Sequence, residues 1–350
     1  QAVARYADVH VLYMQGEPGL ERACYETRRE ARLTEYYLYY PAARTRLGAW
    51  CRKAVAIGRL WRAYRRENGL PDIVHAHVLT WPLWMACRLK GRHGIPFVAT
   101  EHWSRYMRGQ FEGRIQRWLT ARGLRRAAAV LPVSEALGQS MRACGLQHPD
   151  YRVVRNVVDD FFFAEVSKTS DPHRILHVCC FDEQTKNNAG LLRAVAALRR
   201  QRTDFILYMV GDGKDRAATR AYAESLGLQE AVVFTGEVTP QQVHTQLTEA
   251  AFSVFFSRYE TASVVVAESL SAGRPVLCTA IPAIAEVMDG HTGRMVPVED
   301  EAALTDALDW MLDYADTFDG AALQRKARQL FAAEYIGQRF MEIYQTAVNH

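Results

Sequence analysis

Residues 257–276, SRYETASVVVAESLSAGRPV, place two carboxylates eight positions apart, Glu260 in a turn and Glu268 among Val264, Val265, Val266, Ala267 and Leu270. A carboxylate in apolar surroundings loses water and needs partners that replace it. The strand-like AFSVFFS (251–257) leads into this turn, and SVVVAESLSAG (263–273) reads as a helix closed by Gly273 with Pro275 beyond. In a parallel α/β sheet, ligands gather where strand ends meet helix starts. The N–H groups of Ser263, Val264 and Val265 would lack helical partners there and could receive phosphate oxygens. Glu268, about two turns further in, would offer its carboxylate to the vicinal hydroxyls of a ribose. Spacing alone leaves two readings open: a nucleotide grip, or a structural ion pair at Glu268 with Glu260 on a surface loop.

The elements that must position these residues follow from the hydrophobic pattern. Short β-branched or aromatic runs alternate with longer segments of helical period, the signature of a parallel sheet with crossover helices. In the first half, strands are predicted at 8–14, 72–77, 96–102, 128–134 and 151–157, with helices near 47–67, 81–92, 112–126 and 134–143. The second half repeats the scheme, with strands at 174–180, 204–210, 231–236, 251–257, 275–279 and 293–297 and helices near 188–200, 215–226, 240–249, 263–272 and 301–313. The expected division is 1–163, 164–333 and a helical tail, 334–350, that packs back on the first domain, with a linker at 159–174. A doubly wound half opens on its central strand and a phosphate-facing turn. Here the pattern predicts that this strand and its glycine-rich loop are missing ahead of the helix-like stub QAVARYAD.

With 350 residues, 49% hydrophobic and 23% charged, the chain can bury a large core in two domains. No apolar run approaches the roughly 20 residues a spanning helix needs, and the start lacks a signal-peptide pattern. Seven scattered cysteines (24, 51, 87, 144, 179, 180, 278) follow no metal or disulfide spacing and suit a reduced, cytoplasmic location. The net charge of +4 divides unequally: residues 1–160 carry 26 Lys+Arg against 14 Asp+Glu, the remainder 17 against 25. The basic half suggests an anionic partner. Leu47, Trp50, Ala54, Ile57, Leu60, Trp61 and Tyr64 recur at helical spacing among arginines, and a second basic patch, Arg114 to Arg126, surrounds Trp118. Two readings stand: attachment to an anionic membrane surface, or an amphipathic helix packed on a sheet with its arginines in water. No Gly-x-Gly-x-x-Gly follows a strand, which argues against a nicotinamide enzyme.

The Glu-x7-Glu element resembles that of the family-4 retaining glycosyltransferases, enzymes of the GT-B fold with two doubly wound Rossmann-like α/β domains facing across a cleft. PDIVHAH, IPFVATEHWSRY, AVLPVSEAL, RNVVD, VGDG (210–213), VVFTGEV and SAGRPVLCTAIPAIAEVM resemble further elements of that family in the same order. The resemblance implies a catalytic set of His102, Lys186 and Glu260. Lys186 would neutralise the diphosphate leaving group, His102 would lie near the sugar, and Glu260 would contact the transferred sugar. It implies ribose binding by Glu268, diphosphate binding at Thr261, Ala262, Ser263, Val264 and Val265, a base-binding edge at Gly236, Glu237 and Val238, and a turn at Gly211 and Asp212 against the donor. On their own types, Lys186 could equally be a surface lysine and His102 a strand-end histidine; His75 reads as core packing and Asn156 as hinge scaffolding.

The sequence departs from the family pattern where an arginine usually precedes the lysine by five: Cys179, Cys180 and Phe181 stand in that region. Diphosphate neutralisation would then rest on Lys186 and helix amides, or on another arginine such as Arg258. Ala262 and Ser263 replace the usual Phe-Gly, and Val157 stands where glycine is common. The implied reaction moves a sugar from a UDP- or GDP-type donor to a glycan or lipid-linked saccharide, with front-face departure and attack. No Asp-x-Asp pair suggests a metal, no cofactor is expected, and no nucleic-acid partner. The alternatives are a GT-B sugar-nucleotide epimerase and a truncated or degenerate donor-binding protein without turnover.

Overall fold

A computed structural model of the chain describes residues 1–349 apart from 112, 168–170 and the side chain of 46. The first half runs β1 (Val9–Glu17), β2 (Cys24–Glu30), β3 (Leu33–Pro41), α1 (Arg46–Asn68), β4 (Val74–His77), α2 (Trp81–His93), β5 (Phe97–Glu101), α3 (Arg114–Leu124), β6 (Val130–Pro132) and α4 (Glu135–Ala143). These strands make two three-stranded sheets, β1-β3-β2 and a parallel β4-β5-β6, rather than one. Two expectations are corrected here. Residues 24–41, unassigned from sequence, form a hairpin turning at Ala31 (φ 46°), whose Tyr36, Leu38 and Tyr40 alternate inward against Ala56, Leu60 and Tyr64 of α1. Residues 151–157 form no strand, only a bridge between Tyr151 and Val130, because β6 is too short to extend the ladder.

The second half runs β7 (Arg174–Val178), α5 (Glu183–Lys186), α6 (Asn188–Arg199), β8 (Ile206–Val210), α7 (Arg216–Ser225), β9 (Val232–Gly236), α8 (Pro240–Glu249), β10 (Phe252–Phe255), α9 (Val264–Ser271), β11 (Val276–Thr279), α10 (Pro282–Ala285), β12 (Gly293–Val296), α11 (Glu301–Tyr314), α12 (Gly320–Phe331) and α13 (Ala333–Val348). Its six strands are parallel in the order β12-β11-β10-β7-β8-β9. The chain winds outward from β7 in one direction and from β10 in the other, so the switch point lies between these two central strands. A crevice opens there at their C-terminal ends, since the crossovers leave on opposite faces.

Separate apolar layers cover the two faces of this sheet. One joins Ile175, Phe205, Leu207 and Phe252 to α6 and α11; the other joins Leu176, Phe255 and Val276 to α9 and α12. Each fully buried phenylalanine contributes about 2–3 kcal/mol. The expected linker is corrected in part: Phe162 and Phe163 lie in the second layer, so apolar burial overrides the linker composition, while 168–170 fall outside the described residues. The tail breaks at Ala332 into α12 and α13, and α13 sets Ile336, Ile343 and Ala347 against Val98, Ala129, Leu131 and Val154 of the first half. Among the described residues, no helix is long and apolar enough to cross a membrane.

Candidate active site

β7 and β10 deliver the first two chemical groups. After β7 the chain turns through Phe181, a buried residue in the left-handed region (φ 29°), into α5, which ends at Lys186. After β10 it reaches Ser257 and Glu260. Lys186 Nζ donates to Glu260 Oε1 at 2.5 Å, and Ser257 Oγ donates to the same oxygen at 2.9 Å. Burial opposes the Lys186 charge, yet the Glu260 carboxylate and its hydrogen bond raise the ammonium above its ordinary pKa. The lysine is therefore charged.

Arg258 is committed to the local structure instead. Its Nε donates to Glu299 Oε1 at 2.6 Å, Nη1 to the Glu183 carbonyl at 2.7 Å and Nη2 to Asn187 Oδ1 at 2.6 Å. It ties the α5 turn to the turn that carries Glu260.

Gly211 and Gly213 show why small residues stand in the loop after β8. A Cβ at Gly211 would sit 2.0 Å from the Cys179 carbonyl oxygen, and one at Gly213 2.2 Å from that of Cys180. The loop packs directly against the β7 turn, and Asp212 accepts a hydrogen bond from the Gly213 N–H at 2.7 Å. At the end of β9, Gly236 (φ 84°) lies beside the Arg216 guanidinium, 3.5 Å from the position a Cβ would take. Glu237 is exposed and Val238 packs on the apolar layer beneath. Arg216 was not legible in sequence as a site residue, because nothing in RAATRAYAES distinguishes it from the other arginine of that helix; its Nε is buried without a hydrogen-bond partner among the described residues.

α9 carries the second carboxylate, Glu268. Ser263 precedes it with no side-chain cap, and its hydroxyl is buried without a hydrogen-bond partner among the described residues. The first helical bond runs from the Ala267 N–H to the Ser263 carbonyl, so the N–H groups of Val264, Val265 and Val266 have no partner within the helix. The side chain of Glu268, half-buried, forms no hydrogen bond or ion pair with any described residue. Burial, and then the nearby Asp159 charge, push its carboxyl up to about 7. Among the described residues, none partners this carboxylate.

The opposite wall of the crevice comes from the first half. Glu101 at the end of β5 is fully buried and accepts three N–H donors: Leu79 at 3.1 Å, His102 at 2.9 Å and Trp103 at 2.9 Å. It pins the β4 and β5 loops together and fixes the start of the His102 loop; one buried glutamate in ATEH was not separable from an exposed one by pattern. The His77 Nδ1 lies 3.4 Å from His102 Nε2, and the His75 and His77 rings stack at 4.1 Å. His75 shares hydrogen bonds with Tyr344 of α13 and Thr100, so it carries polar contacts as well as packing. Burial, then the neighbouring His102 charge, lowers His77 to about 4, and burial lowers His102 despite Glu101 and Asn156. Both rings are neutral at pH 7. Glu101→Ala would leave the buried Leu79 N–H and the part-buried His102 and Trp103 N–H groups unpaired, at about 1–3 kcal/mol for a fully buried donor; thermal denaturation should show a loss of at least about 1 kcal/mol.

The two walls meet at a pocket lined by Val133, Ser134, Arg155 and Asn156 from one side and Ala262, Ser263, Val266 and Glu286 from the other. Glu286 clasps the lobes by accepting the N–H groups of Glu135 at 3.0 Å and Ala136 at 2.8 Å, at the start of α4 where a carboxylate is favoured. Asn156 therefore borders both His102 and the start of α9. The structure thus joins Lys186 to Glu260 and sets Ser263 at the pocket that Asn156 links to His102, while Glu268 lies further along α9 near Asp159. Gly211, Asp212 and the 236–238 edge lie at the ends of β8 and β9, the two strands beyond β7.

Two α/β lobes facing across a switch-point crevice define a GT-B nucleotide-sugar enzyme fold. The family described as Glycosyltransferase Family 4 matches over residues 1–160, and that described as Glycosyl transferases group 1 over residues 172–314. The chain belongs to these glycosyltransferases. It is 27% identical over 317 residues to an alpha-D-kanosaminyltransferase of Streptomyces kanamyceticus, covering 83% of this chain and 80% of the relative. It is 27% identical over 291 residues to a glycogen synthase of Mycobacterium tuberculosis H37Rv, covering 79% of this chain but 65% of the relative. Sucrose-phosphate synthase from Thermosynechococcus elongatus has the same fold (TM-score 0.77, 17% identity, 98% of this chain and 89% of that one). So does Anabaena HepE, solved with UDP and glucose (TM-score 0.74, 15% identity, 90% and 87%). None of these four is named as an epimerase.

Proposed function

We propose that the chain transfers a sugar from a nucleoside-diphosphate donor to a glycan or lipid-linked saccharide with retention of anomeric configuration. The observation that carries this reading is Glu268, a half-buried carboxylate on the helix that starts at the crevice, with no partner among the described residues. Two ribose hydroxyls are donors that suit it. The diphosphate then lies at the start of α9, where the Ser263 hydroxyl and the free amides can receive oxygens. Glu260 holds the sugar, and Lys186 passes from Glu260 towards the leaving group as negative charge grows there. Neutral His102 stands across the crevice on the acceptor side.

With no second carboxylate assigned beneath the sugar, departure and attack on the same face is the route we favour, the departing phosphate taking the acceptor proton. The charge is met by Lys186 and helix amides, so we propose no metal or other cofactor. Screening UDP- and GDP-sugars against lipid-linked saccharide acceptors, with the product linkage read by NMR, tests this. Transfer with the donor configuration kept is expected; an inverted product contradicts it.

The acceptor partner motivates a second element of the proposal, a cytoplasmic enzyme held on an anionic membrane surface. On α3, Ile115 (76% exposed), Trp118 (57%) and Leu119 (55%) share one face, and the helix has arginines but no acidic residue. Leu47 and Trp50 at the start of α1 are exposed as well, and Trp50 continues through Trp81 to Trp84 on α2. Apolar side chains ringed by cations suit the headgroup region. Co-sedimentation with phosphatidylglycerol vesicles should fall at least about tenfold in an Ile115→Ser, Trp118→Ser double variant. Equal binding to neutral phosphatidylcholine vesicles would contradict an anionic surface.

A further inference from the structure

A nucleoside diphosphate brings several negative charges into the crevice, and most cations around it are already paired. Lys186 faces Glu260 at 2.5 Å, Lys214 faces Asp182 at 2.9 Å, Arg258 faces Glu299 at 2.6 Å and Arg155 faces Glu286 at 3.6 Å. Arg108 differs. Its guanidinium forms no hydrogen bond or contact ion pair with any described residue; it lies over the face of Tyr259, with Cζ 5.5 Å from the ring centroid. Its charge is felt at longer range by Asp182 and Lys214, which places it near the turn after β7 and the loop after β8.

The arginine comes from the opposite lobe, on a loop that is anchored at both sides. Tyr106 and Phe111 are buried, and the Arg105 guanidinium lies 4.2 Å from the Trp103 ring centroid and 5.1 Å from those of Tyr106 and Phe111. The backbone closes a turn within it, from the Arg108 N–H to the Ser104 carbonyl at 3.1 Å and from the Gln110 N–H to the Arg105 carbonyl at 2.9 Å. Tyr259 directly precedes Glu260, so a cation of one lobe rests beside the turn that carries the other lobe's sugar-side carboxylate.

We infer that Arg108 is a diphosphate-binding residue supplied across the cleft: when donor is bound, its guanidinium exchanges the Tyr259 face for phosphate oxygens. Contact with an aromatic face is weak beside a charge-assisted, fork-shaped contact to phosphate. The exchange adds a positive charge to the departing group and draws the two lobes together. This rests on the reading of the crevice as a donor site and extends it to a residue outside the matched motifs.

The test is calorimetric titration of the full chain with the uridine and guanosine series, each as nucleoside, monophosphate and diphosphate. Arg108→Gln should weaken the bound diphosphate about tenfold or more and leave the nucleoside and monophosphate unchanged. Arg108→Lys should restore part of the loss. Unaltered diphosphate affinity in Arg108→Gln overturns the inference alone. Parallel weakening of nucleoside, monophosphate and diphosphate also overturns it, because that pattern belongs to an arginine that only supports the fold. A wild-type chain that binds neither diphosphate overturns the donor-site reading, and the inference with it.

Discussion

Replacing Glu268 with alanine is expected to abolish stabilisation of the protein by its nucleoside diphosphate, with affinity falling at least about a hundredfold. Hydrogen bonds to a charged group contribute about 1.5–3 kcal/mol each, and the carboxylate is read as taking two. In the wild-type chain, ligand at about 100 times its dissociation constant adds roughly 2.7 kcal/mol of stability, which a thermal-shift assay resolves. Glu260→Ala should keep that stabilisation and lose transfer, because its role is placed at the sugar. Unchanged nucleotide affinity in Glu268→Ala would count against the assignment.

The same residue predicts an opposite effect on the empty protein. Its carboxyl is raised to about 7, above the ordinary carboxylate range, so the folded state holds a proton that the unfolded chain has released. Stability from this group is fully present below the unfolded pKa and is lost as pH rises through about 7. Glu268→Gln should therefore stabilise the empty chain at pH 8, by on the order of 3 kcal/mol, and flatten the pH dependence between about 4.5 and 7. Nucleotide binding in the wild type should favour the ionised form, so affinity should rise with pH across the same range.

Lys186→Met should lower transfer by about 10²–10³-fold, the range seen when a single preorganised charge-stabilising group is removed. Stability complicates the single variant. Lys186 and Glu260 have side chains only 16% and 11% exposed, and breaking such a pair leaves a buried charge at a cost of about 3–5 kcal/mol. The double variant Lys186→Met, Glu260→Gln removes that strain. It should recover stability to within about 1 kcal/mol of the wild type while transfer stays lost. Transfer above a tenth of the wild-type rate in the single variant would contradict the role given to Lys186.

The second lobe was legible because each of its strands is a short apolar run bounded by turn residues, and because the carboxylate in VVVAES conflicts with its neighbours. The first lobe was less so. Its tyrosine-rich hairpin at 24–41 mixes Glu, Arg and Thr among aromatic residues, since β2 faces solvent along most of its length, and neither period dominates. RVVRNV has strand composition, but β6 beside it is only three residues long. Lys186 and Glu260 could each be singled out, but their ion pair depends on the adjacency of β7 and β10, which are separated by about seventy residues of chain. Glu101, Arg108 and Arg216 were invisible for a related reason. Their significance lies in which donors, rings or loops converge on them, and that is set by topology rather than by local pattern.

The most direct test is a structure of the chain with bound UDP or GDP. Both ribose hydroxyls are expected within hydrogen-bond distance of the Glu268 carboxylate, with the diphosphate at the start of α9. A nucleotide seated elsewhere, or a Glu268 carboxylate turned to a lysine or arginine of the protein, would contradict it.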